Sequence, residues 1–108
     1  MEEVKTHEIL NSDGTGDFGY ALFALRNGKK VARKGWNGKG MWIVLSEGYK
    51  ELPVDSVWNE HNKQVAIDNG GTVTVSPYIT MKTADNKIQP GWLASQNDML
   101  AEDWEIIK

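Results

Sequence analysis

Apolar and polar residues recur along this chain at two spacings, and these spacings predict where the helices and strands lie. Residues 18–25 carry apolar side chains at i, i+3, i+4 and i+7, which is the stripe of an amphipathic helix. Asp17 precedes the stripe, and its carboxylate can accept hydrogen bonds from the free amides of a first helical turn. The Asn27-Gly28 pair is a left-handed C-cap signal, so we expect one helix between these points.

Short apolar runs predict strands elsewhere. Residues 30–34 form a short strand pattern, and residues 41–45 are apolar on both faces. The second pattern is typical of a central strand or of a strand at a subunit contact. Apolar alternation also predicts strands over residues 79–83 and at the end of the chain, over residues 103–107.

The middle of the chain predicts a hairpin. Residues 64–68 and 72–75 alternate in polarity on either side of an Asn-Gly-Gly turn, which is a strong signal for two antiparallel strands. The preceding residues, 47–61, follow neither spacing, and we expect them to be irregular.

A second helix is predicted near the C-terminus, where Ser95 and Asp98 have the spacing of a capping box. Together these elements predict an α+β fold with a small, mainly antiparallel sheet, one amphipathic helix and a short C-terminal helix. We expect residues 1–16 to form an N-terminal extension and residues 17–108 to form a single ligand-binding domain, because 108 residues make one ordinary domain.

Composition excludes several classes of partner. A net charge of −3 and a pI of about 5.3 argue against coating a nucleic acid polymer. No apolar run approaches membrane-spanning length, so we expect no membrane partner. The absence of cysteine excludes disulfides and thiol nucleophiles, and it fits a reducing cytoplasm.

Charge is nevertheless uneven along the chain. No Asp or Glu occurs from Phe18 to Ser46. A local basic patch of this kind can attract an anion while the whole protein stays acidic. This stretch holds six of the 12 basic residues: Arg26, Lys29, Lys30, Arg33, Lys34 and Lys39.

Motifs for catalysis or cofactor binding fail on inspection. Residues 14–19 match the dinucleotide pattern G-x-G-x-x-G, but no βαβ unit follows, and Asp17 would place negative charge where a pyrophosphate should rest. No serine lies in a nucleophile elbow, and the two histidines lack partners at metal-ligand spacing. We therefore expect no catalytic residue, no metal and no cofactor.

Tryptophan is the most unusual feature, with five in 108 residues. Trp36 and Trp92 each follow a glycine in a predicted loop, so each could offer a flat face for base stacking. The alternative is that both close the ends of a small core, and the pattern alone does not separate the two. Gly38-Lys39-Gly40 adds a possible phosphate nest with a point charge, which together with Trp36 suits a nucleotide-like ligand.

Two dense motifs carry a resemblance to a known family. Two runs of residues resemble motifs near the start and the end of the proteins of a phage and prophage family. The first run is Arg33-Lys34-Gly35-Trp36-Asn37-Gly38-Lys39-Gly40, and the second is Ser95-Gln96-Asn97-Asp98-Met99-Leu100-Ala101-Glu102-Asp103-Trp104-Glu105. The chain, from Asp17 to Ile107, is similar to the second Thoeris anti-defense family. Its members act as "sponges" that bind the cyclic ADP-ribose-type signal of bacterial Thoeris immunity.

The resemblance implies a function and a site. It implies a cytoplasmic protein of the infected bacterial host, homotetrameric with pockets between subunits, that sequesters glycocyclic ADP-ribose without cleaving it. Cyclic oligonucleotides of the CBASS system are a second possible ligand class. By the resemblance, Trp36 stacks on the adenine, and Asn97 and Asp98 hydrogen-bond the ribose or base. Our own candidates for phosphate contact are Gly38, Lys39 and Gly40, and we add Asn37 and Trp92 as further candidate ligand-binding residues.

Two other functions stay open at this point. The protein could be an enzyme that degrades the same nucleotide signal, although no catalytic group supports this. It could also be a phage module that binds a host protein through an exposed tryptophan patch.

Overall fold

The structure is a computed structural model that describes residues 11–108. Contacts divide this part of the chain into two compact units. The first contains residues 11–45 and 79–108, and the second contains residues 46–78. The division into an N-terminal extension and one domain stays a prediction, and residues 1–10 lie outside the described range.

The first unit is built on a five-stranded sheet. The strands are numbered in chain order, and β3 (Tyr49–Pro53) and β4 (Thr72–Val75) belong to the second unit. The strands of the five-stranded sheet are β1 (Lys30–Arg33), β2 (Trp42–Ser46), β5 (Tyr78–Lys82), β6 (Ile88–Pro90) and β7 (Trp104–Ile107). The spatial order is β6-β5-β2-β1-β7. β1 pairs antiparallel with both β2 and β7, and β5 pairs antiparallel with β6. The apolar run over residues 41–45 thus forms the central strand, as one of its two interpretations predicted.

Helix α1 (Phe18–Arg26) covers this sheet. The Asp17 side chain accepts a hydrogen bond from the Tyr20 amide at 2.8 Å, which confirms the predicted N-cap. Since Ala21, Ala24 and Leu25 are buried on one face, the predicted stripe does carry the contact with the sheet. The rest of the core cluster comes from the strands: Val31, Ile43, Met81 and Trp104.

Helix α3 (Gln96–Leu100) follows a capping box in which Ser95 and Asp98 each cap the other's backbone amide. The short C-terminal helix is therefore confirmed at its predicted place. Gly16 and Trp104 exchange two backbone hydrogen bonds of 2.9 and 3.0 Å, which hold the start of the domain against β7.

The second unit corrects the predicted hairpin. Residues 64–68 are not a strand but the second half of helix α2 (Glu60–Asp68). The Asn59 side chain caps this helix by accepting from the Asn62 amide, and Ala66 is buried while Val65 and Ile67 are exposed. Three consecutive apolar residues are compatible with either a helix or a strand. The N-cap at Asn59 favours the helix here.

The partner of the remaining strand also differs from the prediction. β4 (Thr72–Val75) pairs antiparallel with β3 (Tyr49–Pro53), which lies in the stretch expected to be irregular. Residues 11–108 contain three α-helices and two mainly antiparallel sheets, so the fold class is α+β, as predicted. Within the described residues, none of the helices has the length and hydropathy needed to cross a bilayer.

Candidate functional site

The bend between β1 and β2 carries the predicted stacking residue. Trp36 is half-buried and packs edge-on against Trp104 and Trp92, with ring centroids 5.3 and 6.0 Å away. Edge-to-face packing of this kind fixes the tilt of a ring. Trp36 thus has features of both interpretations of the sequence, because it packs against the core while part of its surface stays accessible.

Asp98 holds the edge of this ring. Its Oδ1 atom accepts a hydrogen bond from Trp36 Nε1 at 3.0 Å and another from the Arg33 guanidinium at 2.9 Å. Its Oδ2 atom accepts from the Ser95 amide at 3.1 Å. The side chain is only 12% exposed. Asp98 therefore joins the bend, β1 and the start of α3 at one carboxylate.

Asp103 completes a charge cluster, by which we mean Arg33, Asp98 and Asp103. Arg33 Nε donates to Asp103 Oδ1 at 2.9 Å, and the Gly35 amide donates to Asp103 Oδ2 at 2.7 Å. Sequence reasoning did not assign Arg33 or Asp103 to the site. One signal in the sequence could have pointed to this pairing. The first motif carries Arg33 and the second carries both aspartates, so two segments that are distant in sequence carry opposite charges.

The cluster stays ionised at neutral pH. Burial is the largest influence on the pKa of Asp98 and raises it, but the hydrogen bonds from Trp36, Arg33 and Ser95 outweigh burial and bring the pKa below the ordinary 3.8. Burial likewise raises the pKa of Asp103, and bonds from Arg33 and Gly35 lower it below the same value. Hydrogen bonds from Asp103, and then from Asp98, raise the pKa of Arg33. One cation thus faces two anions.

A first cavity of about 570 Å³ opens beside Trp36. Its volume is in the range of small-molecule sites, roughly 300–1,000 Å³. The bend forms one wall and α3 with its cap forms the other. The lining residues are Arg33, Gly35, Trp36, Asn37, Ser95, Asn97, Leu100 and Ala101.

A second cavity of about 340 Å³ shares Arg33, Trp36 and Asn37 with the first. It brings in the glycine-lysine bend together with residues of β1, β2 and β7. The lining residues are Ala32, Arg33, Lys34, Trp36, Asn37, Gly38, Lys39, Gly40, Met41, Trp42, Glu105 and Ile107.

Positive charge collects beside the second cavity. Gly40 has a φ of +76°, and its carbonyl accepts a hydrogen bond from Lys82 Nζ at 2.9 Å. Lys34 pairs with Asp13 at 3.2 Å. Lys39 is exposed and forms neither an ion pair nor a side-chain hydrogen bond with any residue from 11 to 108. Lys39 is therefore the cation at this bend that an anion could engage without displacing a protein partner.

The structure thus places the predicted site residues in three groups. Trp36 and Asn37 line both cavities, Asn97 lines the first, and the Gly38-Lys39-Gly40 bend lines the second. Asp98 lies behind Trp36 as its hydrogen-bond acceptor. Trp92 supports the ring of Trp36 from the side and lines neither of these two cavities.

Comparison with known proteins places this arrangement in a family. Residues 16–107 match the family model described as the Thoeris anti-defense 2-like, or Tad2-like, domain. The chain belongs to the Thoeris anti-defense 2-like family. The match spans both motifs and every predicted site residue, as the resemblance of the two motifs implied.

One curated relative of the Tad2-like chain is similar along most of its length. It is named "Thoeris anti-defense 2" and comes from Bacillus phage SP01. The two are 40% identical over 91 residues, which is 83% of this chain and 92% of the relative. Membership supports a phage anti-defense role against Thoeris immunity in the infected host, and the family name suggests a role that is not catalytic.

Proposed function

We propose that this protein binds a cyclic ADP-ribose-type immune signal, glycocyclic ADP-ribose in particular, and sequesters it without cleaving it. The observation that carries the proposal is the shared wall of Trp36, which lines one cavity beside α3 and another beside the glycine-lysine bend. An adenine compound with phosphates needs an aromatic face and a cationic, amide-rich bend close together. This site offers both within one short segment.

Stacking of adenine on Trp36 supplies the first part of the affinity. Base–aromatic stacking contributes about 1–3 kcal/mol per base and needs only a flat, accessible ring. Edge-on packing against Trp92 and Trp104 holds the ring in place before ligand arrives, so little entropy is lost on binding. Asn97 lies across the first cavity, where its amide can hydrogen-bond the base or ribose.

Electrostatics orient the ligand. Arg33 lines both cavities, but its charge is offset by two carboxylates, so the charge cluster does not attract phosphate to either one. Lys39 and the flanking glycines line only the second of these cavities, and glycine amides with a nearby lysine are a common phosphate cradle. We therefore place the phosphates at the bend and the adenine against Trp36. Adenine and phosphate are also the parts of a cyclic oligonucleotide, so CBASS signals fit the same chemistry.

A second copy of the chain would enclose this site. Leu100 lines the first cavity yet is 74% exposed. An apolar side chain this open at a ligand site favours coverage by another protomer. We propose a homotetramer with pockets at subunit contacts, acting in the cytoplasm of the infected bacterium. Tight binding there lowers the free signal by mass action.

Native mass spectrometry with added cyclic ADP-ribose, and with glycocyclic isomers where available, tests the proposal. We expect bound ligand in an oligomer, and release of ligand at unchanged mass after heat denaturation. A new product mass would instead favour a degrading enzyme. Absence of bound nucleotide, with capture of a defined host protein, would favour an interaction module.

A matched tryptophan pair sharpens this experiment. Trp36→Ala should weaken ligand binding about 5- to 150-fold while leaving the oligomer intact. Trp58→Ala removes another tryptophan, 53% exposed and in the second unit, and should leave binding unchanged. Equal loss in both variants would contradict stacking on Trp36.

A further inference from the structure

The carboxylate of Asp98 is almost filled by donors from the protein. A carboxylate has about four lone-pair sites, and three are taken by Arg33, Trp36 and the Ser95 amide. The residue as a whole is 8% exposed. Direct contact with a ligand would therefore have to use the little acceptor capacity that is left, in a largely buried position.

The same residue fixes a second indole through its backbone. Trp104 Nε1 donates to the Asp98 carbonyl at 2.9 Å. Trp104 is fully buried and packs edge-on against Trp36. Asp98 thus accepts the indole N–H groups of two neighbouring tryptophans, one by its side chain and one by its main chain.

This arrangement specifies one orientation of the Trp36 ring. Edge-on neighbours restrict the tilt of the ring, and the hydrogen bond to Asp98 adds a fixed direction for its N–H group. Turning the ring over would break this bond, leave the indole N–H without its protein acceptor, and leave Asp98 Oδ1 with the Arg33 donor alone, which is costly. The bond to Asp98 therefore sets which edge faces the core and holds the outer face steady.

We propose that Asp98 is a positioning residue that acts on the ligand through the Trp36 indole and does not contact the ligand itself. This inference rests on the proposed function for the identity of the ligand, and on the hydrogen bonds above for the mechanism. Because Asp98 also caps α3, it couples the plane of Trp36 to the helix that carries Asn97.

A double-mutant cycle with cyclic ADP-ribose as the probe separates positioning from contact. Trp36→Phe keeps a flat ring but removes the N–H group. Asp98→Ala should weaken binding about two- to tenfold in the native background, because the ring must then be ordered on binding. In the Trp36→Phe background, Asp98→Ala should change the Kd by no more than about twofold. Losses that multiply would show that Asp98 acts on the ligand by a route other than the Trp36 indole, through direct contact, Arg33 or α3, and would overturn the proposal.

Asp103→Asn is the matched control for the cycle. Asp103 shares Arg33 with Asp98 but has no hydrogen bond to Trp36, so its effect should be equal in both backgrounds. If Asp98→Ala does not fold, Asp98→Asn replaces it in every arm. This variant keeps the side-chain size and an oxygen that can still accept from Trp36 Nε1, but it removes the charge that strengthens the hydrogen bond, so the expected effect has the same pattern and is smaller.

A ligand-free measurement tests the mechanism independently. Two-dimensional NMR resolves the indole N–H signals, and Trp36→Phe identifies the one belonging to Trp36. Replacing Asp98 should move this signal and speed its exchange with water, whereas the Trp58 signal should stay unchanged. An unaltered Trp36 signal would overturn positioning. Failure of the native protein to bind the probe would count against the proposed function alone, since the NMR result still decides the role of Asp98.

Discussion

At the residue scale, the site depends on how one buried carboxylate is satisfied. Arg33 and Asp98 are 65 positions apart along the chain, yet their side chains meet at 2.9 Å. A partly buried ion pair of this kind adds stability only when its remaining acceptors are also used. Here the Trp36 and Ser95 donors use them, so the charges that hold the indole also anchor α3.

Acid should destabilise the protein through the charge cluster. A carboxylate whose pKa is lowered by folding stabilises the fold above its unfolded value, and this contribution disappears as pH falls through the folded value. The pKa values of Asp98 and Asp103 both lie below 3.8 in the folded protein. We expect the urea midpoint to fall as pH drops below about 4. The urea midpoint of the Asp103→Asn variant should fall less steeply with pH than that of the native protein. The midpoint of the control variant Asp55→Asn, which changes an exposed residue, should follow the native curve.

Lys39 should contribute to affinity in a salt-dependent way. Because the lysine is exposed, its attraction for phosphate is screened by ions. Lys39→Ala should weaken binding of cyclic ADP-ribose about two- to fivefold at low salt, with the difference shrinking at high salt. Lys50→Ala, which removes an exposed lysine of the second unit, is the control in calorimetric titrations. A Lys39 effect that does not depend on salt would speak against phosphate at this bend.

At the scale of elements, most local signals were predictable, helix α2 with its Asn59 cap being the exception, and the long-range ones were not. The Asp17 cap and the Ser95–Asp98 capping box involve neighbours a few residues apart, so the sequence displays them directly. Strand β3 was missed because its paired residues in β4 lie 19 to 26 positions further along the chain, and because Glu51 has a φ of +52° that interrupts any alternation. The indole–carboxylate contact was likewise invisible, because nothing in the local pattern near Trp36 points to Asp98.

The turn before β3 offers a test of the second unit. Gly48 has a φ of +75°, and an added Cβ would lie 2.0 Å from the Val75 carbonyl oxygen. Gly70 has a φ of +92° but open space around it. Both glycine-to-alanine changes incur backbone strain of about 1 kcal/mol, and only Gly48→Ala adds a clash. We expect thermal denaturation to show a clearly larger loss of stability for Gly48→Ala, and equal losses would contradict the β3–β4 register.

At the scale of the whole molecule, sequestration requires that ligand binding and stability be linked. Ligand that binds only folded protein stabilises it by about 2.7 kcal/mol at a hundredfold excess over Kd. For a domain of this size the melting temperature should then rise by roughly 10–20 °C. Scanning calorimetry with cyclic ADP-ribose measures the rise, and Trp36→Ala should show a clearly smaller rise at the same ligand concentration. An undiminished rise in that variant would place the ligand elsewhere.

The edge-on trio of Trp36, Trp92 and Trp104 also has an optical consequence. Indoles with centroids 5.3 to 6.2 Å apart exchange excitation readily, so their emission behaves as that of a coupled group. A nucleobase that quenches the outermost ring should dim all three, and intrinsic fluorescence should fall by more than one fifth of its total although one of five emitters is touched. The fluorescence of the indoles packed behind Trp36 thereby reports ligand binding at the accessible ring.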